Sequence, residues 1–330
     1  IGISAPSEKL HINGNFIIDA KDGELASGLV GKGRMEEPEE IVNFIENHLK
    51  QGLPLTGKKV LYEGGKRLRK TPKQKHKTPL ISIITVVKNN EKFLEKTILS
   101  VLNQNYKNIE YILIDGGSID NTLKIIKKYI NKIDYVISQK DKGLYDAINK
   151  GLSLSSGELI GIVNSDDLLT KNSLKILHKY YQTYPLCDFF FGTVKKHWGT
   201  LHGYKPWKID YSWFFYTSHS TGFFIKKSAA NKLRKYSLKY KNSSDFDYFY
   251  RMIKKYKFKG MATKKNEVFG IFRPGGISSK LDFWDHFYEK NQIRIDNKQN
   301  KYLIFIMVIL KIFFNNKKLN KFKFKRFYKF

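Results

Sequence analysis

The chain has one cysteine in 330 residues, half as many acids as bases, and no apolar run long enough for a membrane span. The single Cys187 excludes an intrachain disulfide and any cysteine-built zinc cluster, and it fits a reducing, cytoplasmic compartment. The shortage of acid, 30 Asp+Glu against 60 Lys+Arg, leaves a formal charge of +30 that attracts polyanions: nucleic acid, anionic lipid or phosphorylated sugars. No zinc-finger, RNA-recognition or helix-turn-helix pattern accompanies that charge, so nucleic acid is not an expected partner. There is also no signal peptide and no initiator methionine before Ile1, and the sequence is expected to be a fragment or a processed product. What is present is 41% hydrophobic and 15% aromatic, enough for a sizeable core in one large α/β domain with appendages.

Residues 81–193 alternate β-branched runs with longer helical patterns. Ile81–Val87 reads as a strand, and Glu91–Leu102 as a helix. Ile109–Ile114, Tyr135–Ser138 and Leu159–Val163 repeat the strand pattern, with helices expected at Thr122–Ile130, Leu144–Leu154 and Ser173–Tyr181. Strands alternating with helices imply parallel crossovers. From Phe189 to about Phe272 the pattern is mixed and aromatic-rich, with a helix expected at Phe246–Lys255. The expected division is an N-terminal appendage (1–65), a basic linker (66–79), an α/β domain (80–280) and a basic helical C-terminal segment (281–330). In that last segment, apolar Tyr302–Phe314 precedes seven cations from Lys317 to Lys329, interleaved with aromatics and with no acid. A transmembrane helix needs about 20 apolar residues; this shorter, amphipathic arrangement suits the interface of an anionic membrane.

Acidic residues recur where strands end. Asn164-Ser165-Asp166-Asp167 follows the fourth strand. The pair either holds a hard divalent cation, Mg²⁺ or Mn²⁺, with substrate phosphates, or caps the helix that starts near Lys171. Ile114-Asp115-Gly116-Gly117 ends the second strand in a glycine turn, and Asp141-Lys142-Gly143 follows the third. Asp115 is open to reading as an Asx turn and Asp141 as a helix cap. The first strand runs into Lys88-Asn89-Asn90-Glu91, and all four elements would lie along one edge of the sheet.

In order and spacing these motifs resemble the family 2 inverting glycosyltransferases of GT-A fold, a Rossmann-like, mostly parallel sheet flanked by helices. The likeness covers about residues 66–280. It implies that Thr85 and Glu91 flank the nucleoside pocket, that Asp115 binds the base, that Asp141 faces the nucleotide, and that Asp166 and Asp167 are the acidic metal motif with Asp167 the direct ligand. Asp245, in Asn242-Ser243-Ser244-Asp245-Phe246-Asp247, matches the family's catalytic base, and Asp247 is expected to be structural. His219 stands where relatives carry a histidine near the active site, for phosphate or acceptor contact or as a structural residue among aromatics. Arg273-Pro274-Gly275-Gly276-Ile277-Ser278-Ser279 resembles the segment that closes over the donor. Lys88 departs from the aromatic residue that many relatives use to stack on the base.

The resemblance implies a metal-dependent transfer from a nucleotide-diphosphate sugar, with uridine expected, to a glycan or lipid-linked acceptor in cell-surface polysaccharide synthesis at the inner face of the membrane. Residues 17–60 instead resemble a fragment of a phosphopantothenoylcysteine decarboxylase running into its fused ligase. Ser27 replaces a cysteine linked to catalysis there, and one helix is expected near Pro38–Lys50. The competing expectations are a catalytically inactive basic module that binds membrane or nucleic acid, and flavin-dependent decarboxylation.

Overall fold

The computed structural model describes four short strands within residues 10–34, and residues 78–211, 220–273 and 283–314. The expected helix at 38–50, most of the basic linker, His219, the turn at 274–279 and the cations after Lys317 lie outside the described residues. The chain divides into two units, Ile1–Lys59 and Val60–Phe330. In the first, β1 (Leu10–Ile12) pairs antiparallel with β2 (Phe16–Ile18), and β3 (Lys21–Glu24) with β4 (Val30–Arg34). These strands were not expected, because runs of three to five residues carrying Gly23, Gly31 and Gly33 show no usable period.

The second unit begins with β5 (Ile81–Val87), all seven residues of which are buried. A strand covered on both faces is a continuous apolar run rather than an alternating one. The next helix, α1 (Leu94–Leu102), buries Leu94, Ile98 and Val101 at helical spacing. It starts three residues later than the periodicity suggests, because the Glu91 N–H is drawn to Asp120 Oδ2 at 3.2 Å and residues 91–93 form a turn. The chain continues through β6 (Ile109–Asp115), α2 (Thr122–Tyr129), β7 (Tyr135–Ser138), α3 (Leu144–Leu154), β8 (Leu159–Ile162), β9 (Leu168–Leu169) and α4 (Ser173–Thr183). The mixed half holds β10 (Phe189–Phe191), β11 (Thr193–Lys196), β12 (Gly199–Leu201), β13 (Phe223–Lys226), α5 (Lys227–Leu233), α6 (Ser244–Tyr250), β14 (Gly260–Ala262) and β15 (Val268–Ile271). Helices α7 (Phe283–Asp296) and α8 (Lys301–Phe314) complete it. The helix expected through Lys255 is α-helical only to Tyr250, and Arg251–Lys255 widens into a π-turn.

Seven strands form the main sheet in the order β14-β10-β13-β8-β5-β6-β7. Strands β8, β5, β6 and β7 are parallel, β13 runs antiparallel to both its neighbours, and β10 and β14 are parallel, so the sheet is mixed. Each face carries a core. Ile84, Val86, Ile112 and Ile114 pack with Ile148 of α3 and Phe246 of α6. Ile81, Ile83, Val87 and Leu113 pack with Ile98 of α1 and Leu174 of α4 on the other face. A second sheet, β12-β11-β15-β9, joins residues just after Asp167 to residues just before Arg273. This three-layer α/β architecture places the carboxyl ends of β5, β6, β7 and β8 along one edge, where the acidic motifs emerge.

The join between parallel and antiparallel strands depends on a missing side chain. Gly161 of β8 faces Phe224 of β13, and a Cβ on it would fall 2.3 Å from that ring. Gly161→Val should therefore cost about 1–3 kcal/mol by overpacking, read calorimetrically as a Tm lower by roughly 2–10 °C. An unchanged Tm would mean that the two strands separate without cost.

Candidate active site

Hydrogen bonds that link distant segments hold this edge in place. At the end of β5, Asn89 is in the left-handed region at φ 50°. Its side-chain Oδ1 accepts the Ile119 N–H at 2.8 Å, while its own N–H donates to Ser118 Oγ at 2.7 Å. The Asn90 amide donates to Ser165 Oγ at 2.8 Å, joining the β5 loop to the loop that carries the aspartate pair. Glu91 is exposed and accepts from the backbone and side-chain nitrogens of Asn121, at 2.9 and 2.7 Å, beside the start of α2. Thr85 lies inside the core, where its hydroxyl accepts the Tyr111 O–H at 3.1 Å. Lys88, at the same loop, is exposed.

Asp115 is fully buried, and both of its oxygens are engaged: Ser118 Oγ donates to one at 2.5 Å and Ser138 Oγ to the other at 2.6 Å. Ser118 N–H, three residues on, also reaches the carboxylate at 3.2 Å, so the side chain closes the glycine turn without the two-residue bond of an Asx turn. The half-buried Asp141 lies directly against the next residue of that turn. A Cβ on Gly116 would fall 2.2 Å from its Oδ2, so only glycine allows the carboxylate this close. Asp141 Oδ1 in turn accepts the Gly143 N–H at 2.9 Å, at the entry to α3.

Asp166 and Asp167 sit where the chain leaves β8 for β9. Asp167 is fully buried and accepts from Thr221 Oγ1 at 2.6 Å, from the Arg273 N–H at 3.4 Å and from Asn164 Nδ2 at 3.4 Å. Loss of solvent pushes its carboxyl up to about 6, against the opposing pull of these donors and of Lys196. Asp166 is half-buried and is also raised to about 6, by burial first and then by the charge of Asp167, with Arg273 pulling the other way. Two desolvated carboxylates side by side form a hard-oxygen donor pair whose repulsion a divalent cation would relieve. Among the described residues no group of three or more His, Cys, Asp or Glu could hold a metal ion; a cation on two carboxylates alone would take the rest of its shell from phosphate and water.

Asp245 lies in the first turn of α6 and is exposed. Its Oδ1 accepts the Tyr145 O–H at 3.3 Å and the Phe246 N–H at 2.8 Å. Tyr145 is in the first turn of α3, four residues beyond Asp141, which places the Asp245 carboxylate over the same edge. Ser243 precedes the helix without capping it; its hydroxyl pairs with His286 Nδ1 at 3.0 Å. Asp247 is buried and accepts from Arg251 Nε at 2.8 Å and from Asn297 Nδ2 at 3.2 Å. Lys290 of α7 is buried near Asp245; burial draws its ammonium down to about 7 while the Asp245 charge opposes the shift.

Several of these partners were not found from the sequence. Thr221 could have been suspected, since it directly follows the histidine segment, and Ser138 because it ends a strand. Lys196 and Lys290 carry no signal among 60 cations. A cleft of about 970 Å³ lined by Arg234, Lys235 and Lys255 involves the far end of α3, at Leu152 and Ser153, away from the aspartates.

A family model, described as glycosyl transferase family 2, matches residues 82–261. Glycosyltransferase GlyG of Streptococcus pneumoniae is 35% identical over 106 residues, covering 31% of this chain and 35% of that protein. The chain thus spans about a third of the length of that curated relative. Among solved structures, Staphylococcus aureus TarS 1-349 in complex with UDP-GlcNAc superposes with a TM-score of 0.57 at 17% identity, covering 74% of this chain and 77% of the other. The mannosyltransferase PcManGT from Pyrobaculum calidifontis, in complex with GDP-Man and Mn²⁺, gives 0.52 at 14% identity, covering 68% and 67%. At these identities the two structures establish a shared GT-A-like fold.

The His286 contact gives a pH signature beside Asp245. Burial, then the charge of Lys290, lowers the imidazole from 6.5 to about 4. The folded protein therefore binds fewer protons there than the unfolded chain. The His286 contribution to stability is complete above about pH 6.5 and is lost as pH falls towards 4. Asp166 and Asp167, raised to about 6, act in the opposite sense over the same range. The test is therefore the difference between wild type and His286→Gln in denaturant titrations. The stability advantage of wild type should shrink, by up to about 1 kcal/mol per pH unit, between pH 6.5 and 4. A pH-independent difference would refute the assignment.

Proposed function

Since the chain belongs to glycosyl transferase family 2, we propose that it transfers a sugar, with inversion, from a nucleotide-diphosphate sugar to a hydroxyl of a glycan or lipid-linked acceptor in surface polysaccharide synthesis. The observation that carries this reading is the desolvated Asp166–Asp167 pair at the carboxyl edge of the parallel strands, in a loop that the Asn90–Ser165 hydrogen bond joins to the β5 loop. In an open α/β sheet that edge is where nucleotides bind.

The donor lies over the Asp115 and Asp141 loops. Thr85 and Glu91 support that pocket from behind, the first through Tyr111 and the second through Asn121. Asp115, buried and held by Ser118 and Ser138, is assigned to the base by its place in the motif order, with uridine the expected partner. Asp166 and Asp167 would hold Mg²⁺ or Mn²⁺. Thr221 and Asn164 orient Asp167 as the direct ligand, and Asp166 is the more accessible of the two. When bound, the cation offsets the charge that gathers on the departing diphosphate. Arg273, whose guanidinium lies 5.0 Å over the Phe93 ring, adds a positive charge beside Asp166. His219, by its place before Thr221, is assigned to phosphate or acceptor.

A sugar hydroxyl is a poor nucleophile until it loses its proton in the transition state. Asp245 takes that proton as the acceptor oxygen bonds to the anomeric carbon, and the bond from that carbon to the diphosphate oxygen breaks with its electron pair leaving on phosphate. The Tyr145 hydroxyl donates to the carboxylate, and the exposure of Asp245 leaves that carboxylate open to an acceptor.

The test is a thermal-shift screen of UDP- and GDP-sugars with Mn²⁺, followed by turnover assays with the donor found. Asp245→Asn should lower turnover by about 10²–10⁴-fold while leaving the donor-induced shift intact; full turnover in that variant would remove Asp245 from the role of base. Asp167→Ala should abolish the Mn²⁺-dependent part of the shift. If Asp166→Ala alone does so, the two aspartates exchange roles. Donor binding without turnover in wild type would favour an inactive binding module.

A further inference from the structure

Helix α8 exposes an apolar surface that the transfer reaction does not use. Ile304, Met307 and Lys311 turn inward, and Lys311 reaches over the Phe283 ring of α7 at 5.1 Å. On the opposite side Phe305, Ile306, Ile309, Leu310, Phe313 and Phe314 are 42–74% exposed. They recur at helical spacing and form one continuous stripe. Soluble surfaces seldom leave so many large apolar side chains together in water.

We infer that this stripe is a docking face for the surface of an anionic lipid bilayer. Charge selects that occupant. The residues that follow the helix, 315–330, carry seven cations, from Lys317 to Lys329, and no acid, interleaved with Phe322, Phe324, Phe327, Tyr328 and Phe330. A polybasic segment next to an apolar helix face matches headgroups in charge and acyl chains in polarity. A second copy would carry the same charge of +30, and like charge opposes self-association. Length selects the geometry. The apolar run Tyr302–Phe314, interrupted by Lys311 and followed by Asn315, Asn316, Lys317 and Lys318, is shorter than the roughly 20 residues that a span needs, which places the helix along the interface. Among the described residues no helix is long and apolar enough to cross a membrane.

The inference does not depend on the sugar donor, and its test needs no turnover. The full chain is floated with vesicles of phosphatidylcholine alone and with vesicles of phosphatidylcholine and phosphatidylglycerol in equal parts. It should float with the anionic vesicles only, and added salt should weaken the association. The combined substitution Phe305→Glu, Ile309→Glu and Phe313→Glu changes side chains that face solvent, so the Tm should stay unchanged while vesicle affinity falls by at least about tenfold. A second variant, with the seven cations after Phe314 changed to Gln, should lose the preference for anionic lipid. Three results would overturn the inference: equal binding to both vesicle types, unchanged affinity in both variants, or a wild-type dimer that the three glutamates disrupt.

Discussion

The buried carboxylate of Asp167 is the constraint around which the edge of the sheet is organised. A charge there is costly unless donors or a cation meet it. The donors come from three places in the chain: Asn164 from its own turn, Thr221 from the approach to β13, and the Arg273 N–H from the end of β15. Each of those places is fixed by strand pairing. β13 inserts antiparallel against β8, and β15 pairs with β9 immediately after the aspartate. The two sheets meet at Asp167, which explains why a two-residue strand such as β9 persists at all. The neutralisation is partial: the carboxyl still sits near 6, as does that of Asp166. The pair is thus left short of positive charge, which is the lack that the proposed cation would meet.

The remaining loops along this edge are held by side chains that bond to backbone or side-chain groups in other segments. Asn89 to Ile119, Asn90 to Ser165 and Glu91 to Asn121 cross 30, 75 and 30 residues of chain. None of helices α1 to α4 has a side-chain N-cap hydrogen bond. At α2 and α4 the polar N-cap residues instead tie loops together, Asn121 donating to Glu91 and Asn172 accepting from Asn105, whereas α1 and α3 have Phe93 and Gly143 at that position. That exchange gives up local helix stability and gains a rigid rim, and a rigid rim keeps pre-placed donors effective.

The strand and helix alternation from Ile81 to Thr183 was legible because both signals are local: β-branched runs for buried parallel strands, and Leu94, Ile98 and Val101 at helical spacing. The acidic residues at strand ends were legible for the same reason. Their surroundings were not. Thr85 shares its face of β5 with Ile83 and Val87, but the Tyr111 hydroxyl that meets it there comes from β6 and is set by the pairing of β6 on β5. That Asp115 has both oxygens occupied depends on Ser138 arriving beside it, which is set by the register of β7 on β6. The smaller sheet escaped notice because its strands run from two to four residues, too few for a period to show.

The same logic ties the exposed stripe of α8 to the chemistry. Helix α7 lies between them. Its Lys290 and Arg294 lie over the Phe246 ring, each at 5.0 Å, and Phe246 adjoins Asp245. From the other side Lys311 of α8 reaches the Phe283 ring of α7. Burying Lys290 and Lys311 is unfavourable in isolation, and each charge pushes against the other. Aromatic faces offset part of that cost by attracting cations. They also fix the spacing of three successive helices, α6, α7 and α8. A bilayer bound to α8 would therefore stand at a set height relative to Asp245. If the acceptor of the proposed reaction is anchored in that bilayer, it would search for the Asp245 carboxylate across a surface rather than through a volume, which raises its effective concentration without any added contact at the site.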